Sequence, residues 1–222
     1  MNPMAIAIIG GTGPQGKGLG YRLALSGHRV VLGSRSEARA IDAAEEMSTR
    51  VGRSGSIAGA SNVKAAAASD VAVLAVPYEG HDELVASLRD ELRGKVVVSC
   101  VNPLGFDKSG AYGLQVEAGS AAEAAAALLP DSAVVGAFHH LSAVTLMSGE
   151  PLDEDVLVCG DDSDAKTVVM ELARGVTGRP GVAAGKLRLA RHLEPLTAVL
   201  IAVNRAYKTH SGIRITGLPP EL

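Results

Sequence analysis

The sequence predicts an α/β protein of the doubly wound kind, in which a mostly parallel sheet carries helices on both faces and a small, largely helical C-terminal domain follows. Three observations predict it. The apolar stretch Ile6-Ala7-Ile8-Ile9 runs straight into the glycine-rich turn Gly10-Gly11-Thr12-Gly13-Pro14-Gln15-Gly16 and from there, at Lys17, into a helix. Strand-like and helix-like segments then alternate as βαβ units do. Runs such as residues 71–76 are hydrophobic without alternation, which suits a strand covered on both faces. Together these place the chain in the Rossmann class.

Composition bounds the rest. The 222 residues fit one such domain, residues 1–148, plus a smaller one, residues 149–222, with the Ser148-Gly149-Glu150-Pro151 turn as boundary. Hydrophobic residues make up 47% and the net charge is only -3, so neither a disordered chain nor a nucleic-acid surface is indicated. Aromatics are 3% with no Trp, which argues against base-stacking platforms. Cys100 and Cys159 fall in or beside apolar strands and read as core filler in a reducing compartment. The N-terminus is itself the first strand, without a signal-peptide pattern, and no apolar run reaches the ~18 residues of a membrane span. The cytoplasm is the expected location.

The glycine-rich turn is the first functional signal. Gly11, Gly13 and Gly16 have the G-x-G-x-x-G spacing: the first for the tight turn, the second for backbone approach to a pyrophosphate, the third for close helix–strand packing. Thr12, Pro14 and Gln15 lie between them, and the helix N-terminus offers N–H groups to an anion. The helix continues to Ser26 with Gly27 as stop, and the next strand, residues 29–32, ends in Gly33-Ser34-Arg35-Ser36. An NAD site carries an acidic residue at such a point to bind the ribose 2′-OH. Here Ser34 can donate a hydrogen bond, Arg35 can fork around a 2′-phosphate, and Arg39 follows one helical turn later. NADP is favoured over NAD; the alternative makes Ser34 a helix cap and the arginines solvated charges.

Onward, residues 37–50 read as an amphipathic helix, 56–60 as a third strand, 63–68 as a helix and 71–76 as a fourth strand. In such sheets ligands lie beyond the carboxyl ends of the strands, so Val76, Pro77 and Tyr78 should approach the ribose–nicotinamide side, though Pro77 serves equally as a strand stop. Residues 82–92 form a helix and 96–99 a fifth strand, after which Asn102 either binds cofactor or caps a turn. Residues 105–119 read as a loop over the crevice, 121–129 as a helix and 133–137 as a sixth strand. Its tip delivers Phe138-His139-His140-Leu141-Ser142-Ala143. For the adjacent histidines, metal binding is disfavoured because their side chains diverge and no carboxylate or cysteine stands at ligand spacing. Acid–base work is open, and one histidine bonding ligand while the other packs is favoured. Residues 155–160 make a further strand, and Asp161, Asp162 and Asp164 read as charges favouring the N-terminus of a helix over 164–174. The last helix, 189–208, is nearly continuously apolar from Leu196 to Val203, which asks for burial on more than one side and hence a partner subunit.

The ordered set of the glycine turn, Gly33-Ser34-Arg35, Val76-Pro77-Tyr78, residues 137–143 and Cys159-Gly160-Asp161-Asp162 resembles the NADPH-dependent reductases of coenzyme F420, also called F420:NADP oxidoreductases. Arg191-His192-Leu193-Glu194-Pro195-Leu196 and Gly212-Ile213-Arg214-Ile215-Thr216-Gly217-Leu218 are similar to the bacterial branch, so the resemblance covers essentially the whole chain. It implies a Rossmann domain binding NADP, a small C-terminal domain enclosing the deazaflavin, and a homodimer. It further implies NADP contacts at Thr12, Gly13, Pro14, Gln15, Ser34, Arg35, Arg39, Val76 or Tyr78, Asn102 and Ala143. Hydride would pass between nicotinamide and deazaflavin, so the protein would mainly hold two rings at about 3–3.5 Å, with no catalytic side chain. His139, His140, Leu141 and Ser142 are the candidate deazaflavin contacts, the polar ones stabilising charge on its N1–C2 edge. Two other functions compete: an NADP-dependent imine or ketone reductase, which needs a proton donor, and a non-catalytic NADP sensor, which leaves the C-terminal helix unexplained.

Overall fold

The computed structural model describes residues 2–53 and 55–219. Among them, β1 (Ala5–Ile9), β2 (Arg29–Ser34), β3 (Ile57–Ser61), β4 (Val71–Leu74) and β5 (Val96–Ser99) precede a hairpin of β6 (Leu104–Asp107) and β7 (Gly110–Gly113). β8 (Ala133–Gly136), β9 (Leu157–Gly160) and β10 (Val182–Ala183) complete one eight-stranded sheet in the order β10-β9-β8-β5-β4-β1-β2-β3. From β3 to β8 all neighbours are parallel, which makes this a Rossmann-like, doubly wound sheet. The chain reverses direction across the sheet between β1 and β4, and that switch point is where a ligand crevice opens.

Alternation along each strand builds two cores. Ile6 and Ile8 of β1, with Val71 and Val73 of β4, face α1 (Pro14–Leu25), α2 (Glu37–Val51) and a helix near the C-terminus, α8 (Ser163–Thr177). Ala7, Ile9, Ala72 and Leu74 face α3 (Asn62–Ala67), α4 (His81–Ser87), α5 (Arg89–Leu92) and α6 (Ala121–Leu128). Each fully buried Ile or Leu on these faces contributes roughly 1.5–3 kcal/mol. This explains the absence of alternation in the sequence: both faces are inside.

Several expectations are corrected. The first helix begins at Pro14 and not Lys17, because proline at the first helical position has a preset φ and lacks only an N–H that would be unpaired anyway. The segment 82–92 is split at Leu88 into α4 and α5. Residues 105–119 do not form a loose loop: the β6–β7 hairpin is registered Leu104 to Gly113, its turn tied by Asp107 Oδ1 accepting from Ser109 and Gly110 N–H. It leans on α9 (Ala190–Tyr207), so closely that a Cβ on Gly113 would lie 2.7 Å from Pro195 Cβ. A helix not read from the sequence, α7 (Ala143–Ser148), follows the β8 tip, capped by Ser142 and ended by left-handed Gly149. Arg22 of α1 holds it, donating to the carbonyls of Leu146 (2.8 Å), Thr145 (3.0 Å) and Glu150 (2.6 Å), and Gly18 lets the two helices touch. β9 runs antiparallel to β8, pairing Gly136 with Cys159, and β10 joins it. The sheet therefore continues past Ser148. No helix among the described residues is long and apolar enough to cross a membrane.

Candidate functional site

Beyond the carboxyl ends of β1 and β4 lie two adjoining clefts. The first, about 350 Å³, is lined by Gly10, Thr12, Gly13, Ser34, Arg35, Arg39 and Asn62 on one side and by residues 75–77, Glu79, Gly80 and Leu84 on the other. The second, about 330 Å³, shares Gly13 and residues 75–77 and continues past Pro14, Gln15, Cys100, Asn102, His139, Leu141 and Thr197. A larger depression, about 590 Å³, lies away from the glycine turn, and among its lining groups Lys186 stands 3.9 Å from Asp161. Size does not choose the site; the convergence of a glycine turn, two arginines and strand ends does.

The glycines of the turn do different jobs. Gly10 carries the left-handed conformation (φ 77°), and a Cβ there would lie 2.5 Å from Val76 Cγ1. The turn's conformational demand thus falls on Gly10, where the spacing had pointed to Gly11. Gly11 is needed for closeness, since a Cβ would sit 2.8 Å from the Ile8 carbonyl oxygen, and one on Gly16 would sit 2.7 Å from Gly11 Cα. Gly13 is the exception: its φ of -76° suits any residue, and its Cβ would meet nothing nearer than the Gly10 carbonyl oxygen at 3.6 Å. Nothing among the described residues requires that residue to be glycine. The first intrahelical bond, from Lys17 N–H to the Gly13 carbonyl at 2.9 Å, leaves the Gln15 and Gly16 N–H groups at the exposed end of the helix dipole. The turn is pinned from behind, where Gly11 N–H donates to Gly33 O at 2.8 Å and Gly10 N–H to Asn62 Oδ1 at 3.2 Å.

Ser34 ends β2 and is buried, its Oγ accepting from Ser36 N–H at 3.2 Å, so the hydroxyl proton is left to donate elsewhere. Ser36, not Ser34, caps α2. Arg35 and Arg39 are exposed at the cleft, as cations awaiting a phosphate would be.

The β8 tip is the most constrained backbone at the site. Phe138 is buried with φ 64°, a strained conformation for a non-glycine residue, and its carbonyl accepts from Gln15 Nε2 at 3.4 Å. The His139 carbonyl accepts from Asn102 Nδ2 (2.9 Å) and Thr197 Oγ1 (3.0 Å), so Asn102 ties the tip while also lining the cleft. Burial, and secondarily His140, pushes the His139 imidazole down to about 3, and its Nε2 has no hydrogen-bond partner among the described residues. Burial thus favours its neutral form. His140 packs away from both clefts, donating from Nε2 to the Leu193 carbonyl at 2.8 Å, and burial lowers its pKa too. His139 thus lines the second cleft and His140 does not.

Leu141 lines the second cleft. Tyr78, Ser142 and Ala143 line neither cleft: Tyr78 packs against the second core, Ser142 caps α7, and Ala143 begins that helix. Asp162 Oδ1 caps α8 through Ala165 N–H at 2.8 Å, and Asp161 Oδ1 accepts from Leu187 N–H at 3.4 Å. Three residues escaped the sequence reading, Asn62, Thr197 and Arg22, and Glu194 entered it only within the family motif of residues 191–196, with no role of its own. Only Thr197 left a trace, as a polar residue interrupting the apolar run of the last helix. Glu194 is buried on α9, where burial pushes its carboxyl up to about 7 even as it accepts from Ala121 and Ala122 N–H.

Comparison with known proteins identifies the chain's relatives. Residues 5–103 match the family model described as NADP oxidoreductase, coenzyme F420-dependent. An F420-dependent NADP reductase of Methanothermobacter thermautotrophicus is 40% identical over 98% of this chain and 97% of its own length. One from Methanocaldococcus jannaschii is 40% identical over 97% of this chain and 99% of its own. The solved structure of a provisional F420-dependent NADP-reductase from Arthrobacter sp. FB24 superposes with a TM-score of 0.81 at 27% identity, covering 96% and 99% of the two chains.

Proposed function

The chain belongs to the F420-dependent NADP oxidoreductase family, and from that premise we propose that the two clefts hold the two halves of NADP, with the deazaflavin meeting the nicotinamide at the second. The protein is an oxidoreductase that transfers a hydride between NADP(H) and coenzyme F420. When bound, those coenzymes supply both the hydride donor and the hydride acceptor. The chain's own residues bind, orient and exclude water. Thr12 to Gln15 and the α1 N-terminus take the pyrophosphate, and Ser34, Arg35 and Arg39 take the 2′-phosphate. Val76, Asn102 and Gln15 border the nicotinamide, while His139 and Leu141, with Thr197 of α9, form the wall against which the deazaflavin is held.

The observation that carries this reading is Gly13, the one glycine of the turn whose Cβ the protein itself leaves room for, facing both clefts. A missing side chain that folding does not need is room kept for a ligand. Among the residues lining the second cleft there is no carboxylate, the Cys100 thiol is pushed up to about 12 by burial, and His139 is neutral. A ketone or imine reductase would need a proton donor there; transfer between two coenzymes needs proximity. The deciding experiment mixes the protein, F420 and NADPH and follows the deazaflavin's visible absorbance. Bleaching is expected. Turnover of an imine or ketone without deazaflavin, or tight NADPH binding with no turnover, overturns the reading.

The cofactor preference has its own test. Arg35→Ala should weaken NADPH by roughly 10- to 100-fold, the worth of one charge-assisted bond at ~1.5–3 kcal/mol, and leave NADH nearly unchanged. Equal losses for both nucleotides in a fluorescence titration count against a 2′-phosphate site at Arg35.

In this division of labour residues 1–148 hold NADP and residues 149–222 complete the deazaflavin site through α9. We further propose a cytoplasmic homodimer. Its support is α9, whose 18 residues are buried only at Ala190, Glu194 and Ala198, leaving Val199 exposed and Leu196, Leu200 and Val203 half-exposed. Light scattering at low micromolar concentration should report about twice the 22.6 kDa chain mass. A soluble monomer would refute the dimer and leave that face to solvent.

A further inference from the structure

α6 has two of its first N–H groups satisfied from far along the chain. Ser120 Oγ accepts from Glu123 N–H at 3.1 Å, an ordinary N-cap. The N–H groups of Ala121 and Ala122 instead donate to Glu194 Oε2 (2.8 Å) and Oε1 (3.0 Å), one to each oxygen of a carboxylate that is 1% exposed. Water is the usual partner for such groups, and a carboxylate taken this far out of solvent is expensive unless its oxygens are occupied.

The element that carries Glu194 also walls the second cleft. On the same helix Thr197 Oγ1 donates to the His139 carbonyl at 3.0 Å, and the Leu193 carbonyl accepts from His140 Nε2 at 2.8 Å. α9 is thereby tied to the β8 tip on one side and to α6 on the other, and among the described residues its buried hydrogen bonds to α6 run through Glu194, beside the apolar packing of Ala190 and Leu193 in the second core. Arg191 reaches α6 as well, pairing with Glu123 at 2.6 Å, but that pair is partly solvated and contributes little. We propose that Glu194 is a positioning residue for deazaflavin binding: by locking α9 onto the N-terminus of α6 it sets the width of the second cleft. This rests on the deazaflavin being held at that cleft. The first cleft, built from the glycine turn and residues 34–39, is touched by none of these bonds.

The test is a split between the two coenzymes. Equilibrium binding of F420 (quenching of its own fluorescence) and of NADPH is measured for the wild type, Glu194→Gln and Ala121→Pro, alongside steady-state turnover. Glutamine keeps one acceptor but turns an amide N–H₂ toward the second backbone donor. Proline at the first helical position deletes the Ala121 donor without altering Glu194, where proline is tolerated. In both variants the F420 Kd and KM should rise about 10-fold, with NADPH Kd within about 2-fold of wild type and kcat at saturation falling less than about 3-fold. Equal weakening of both coenzymes, or no change in a folded variant, overturns the proposal. If Glu194→Gln does not fold, Ala121→Pro decides alone. Should the wild type itself neither bind nor bleach F420, it is the assigned reaction that fails, which the wild-type arm reports separately.

Discussion

Gly13→Ala is expected to fold with nearly the wild-type stability and to lose NADPH binding by about 100-fold or more, the cost of holding a pyrophosphate ~1 Å off its donors. The added Cβ has room, with its nearest neighbour at 3.6 Å, and the backbone at φ -76°, ψ 164° is open to any residue. The stability loss should be limited to the few tenths to ~1 kcal/mol that separate Gly from Ala as a helix N-cap. Gly16→Ala should behave in the opposite way. Its Cβ would stand 2.7 Å from Gly11 Cα and 3.0 Å from the Gly10 carbonyl oxygen, both backbone atoms that cannot step aside, so α1 or the turn must shift at a cost of about 1–3 kcal/mol. Thermal unfolding and a fluorescence titration with NADPH separate the two. A folded Gly13→Ala protein that binds NADPH as the wild type does would remove the pyrophosphate from this turn.

Acid should unfold the protein in large part through His139. An imidazole with an ordinary value of 6.5 that burial lowers to about 3 binds its proton in the unfolded chain before it does in the folded one. Between those values the unfolded state holds more protons, so stability is complete above pH 6.5 and is lost as pH falls toward 3. At ~1.4 kcal/mol per pH unit the full swing is on the order of 5 kcal/mol. His140 and His28, both lowered by burial, act in the same direction. Glu194, raised from 4.5 to about 7, acts oppositely, its contribution being present below 4.5 and lost as pH rises through 7. These groups are shared by wild type and His139→Asn, so the difference between their urea stabilities at pH 7 and near pH 4.5 isolates His139. The variant's profile should be distinctly flatter on the acid side; parallel profiles would show that the imidazole is hydrated after all. The same neutrality bears on catalysis. His139→Ala should reduce single-turnover hydride transfer by about 10-fold, short of the 10²–10⁴-fold typical of a lost general acid. Complete loss of that step with both coenzymes still bound would make His139 a catalytic residue.

The sequence by itself determined the local elements and the chemistry that is local in the chain. β1 with its glycine turn and α1, β5 at residues 96–99, and the Ser34, Arg35 and Arg39 cluster were all legible. Periodicity, capping and turn residues act over a few positions, and a phosphate site on one βα turn needs no distant partner. Strand direction was not legible: an apolar run looks the same in either orientation, and only pairing of Gly136 with Cys159 made β9 antiparallel. Nor was the division among the glycines, because spacing marks Gly11, Gly13 and Gly16 alike, whereas only their neighbours show that two are fixed by packing and one is left open. Asn62 against Gly10, Arg22 against α7, Thr197 against His139 and Glu194 against α6 join positions that lie 52 to 124 residues apart, and tertiary structure alone decided them. Each is an ordinary polar side chain in the sequence, and acquires its role only because folding removes the water that would otherwise satisfy the backbone group it meets.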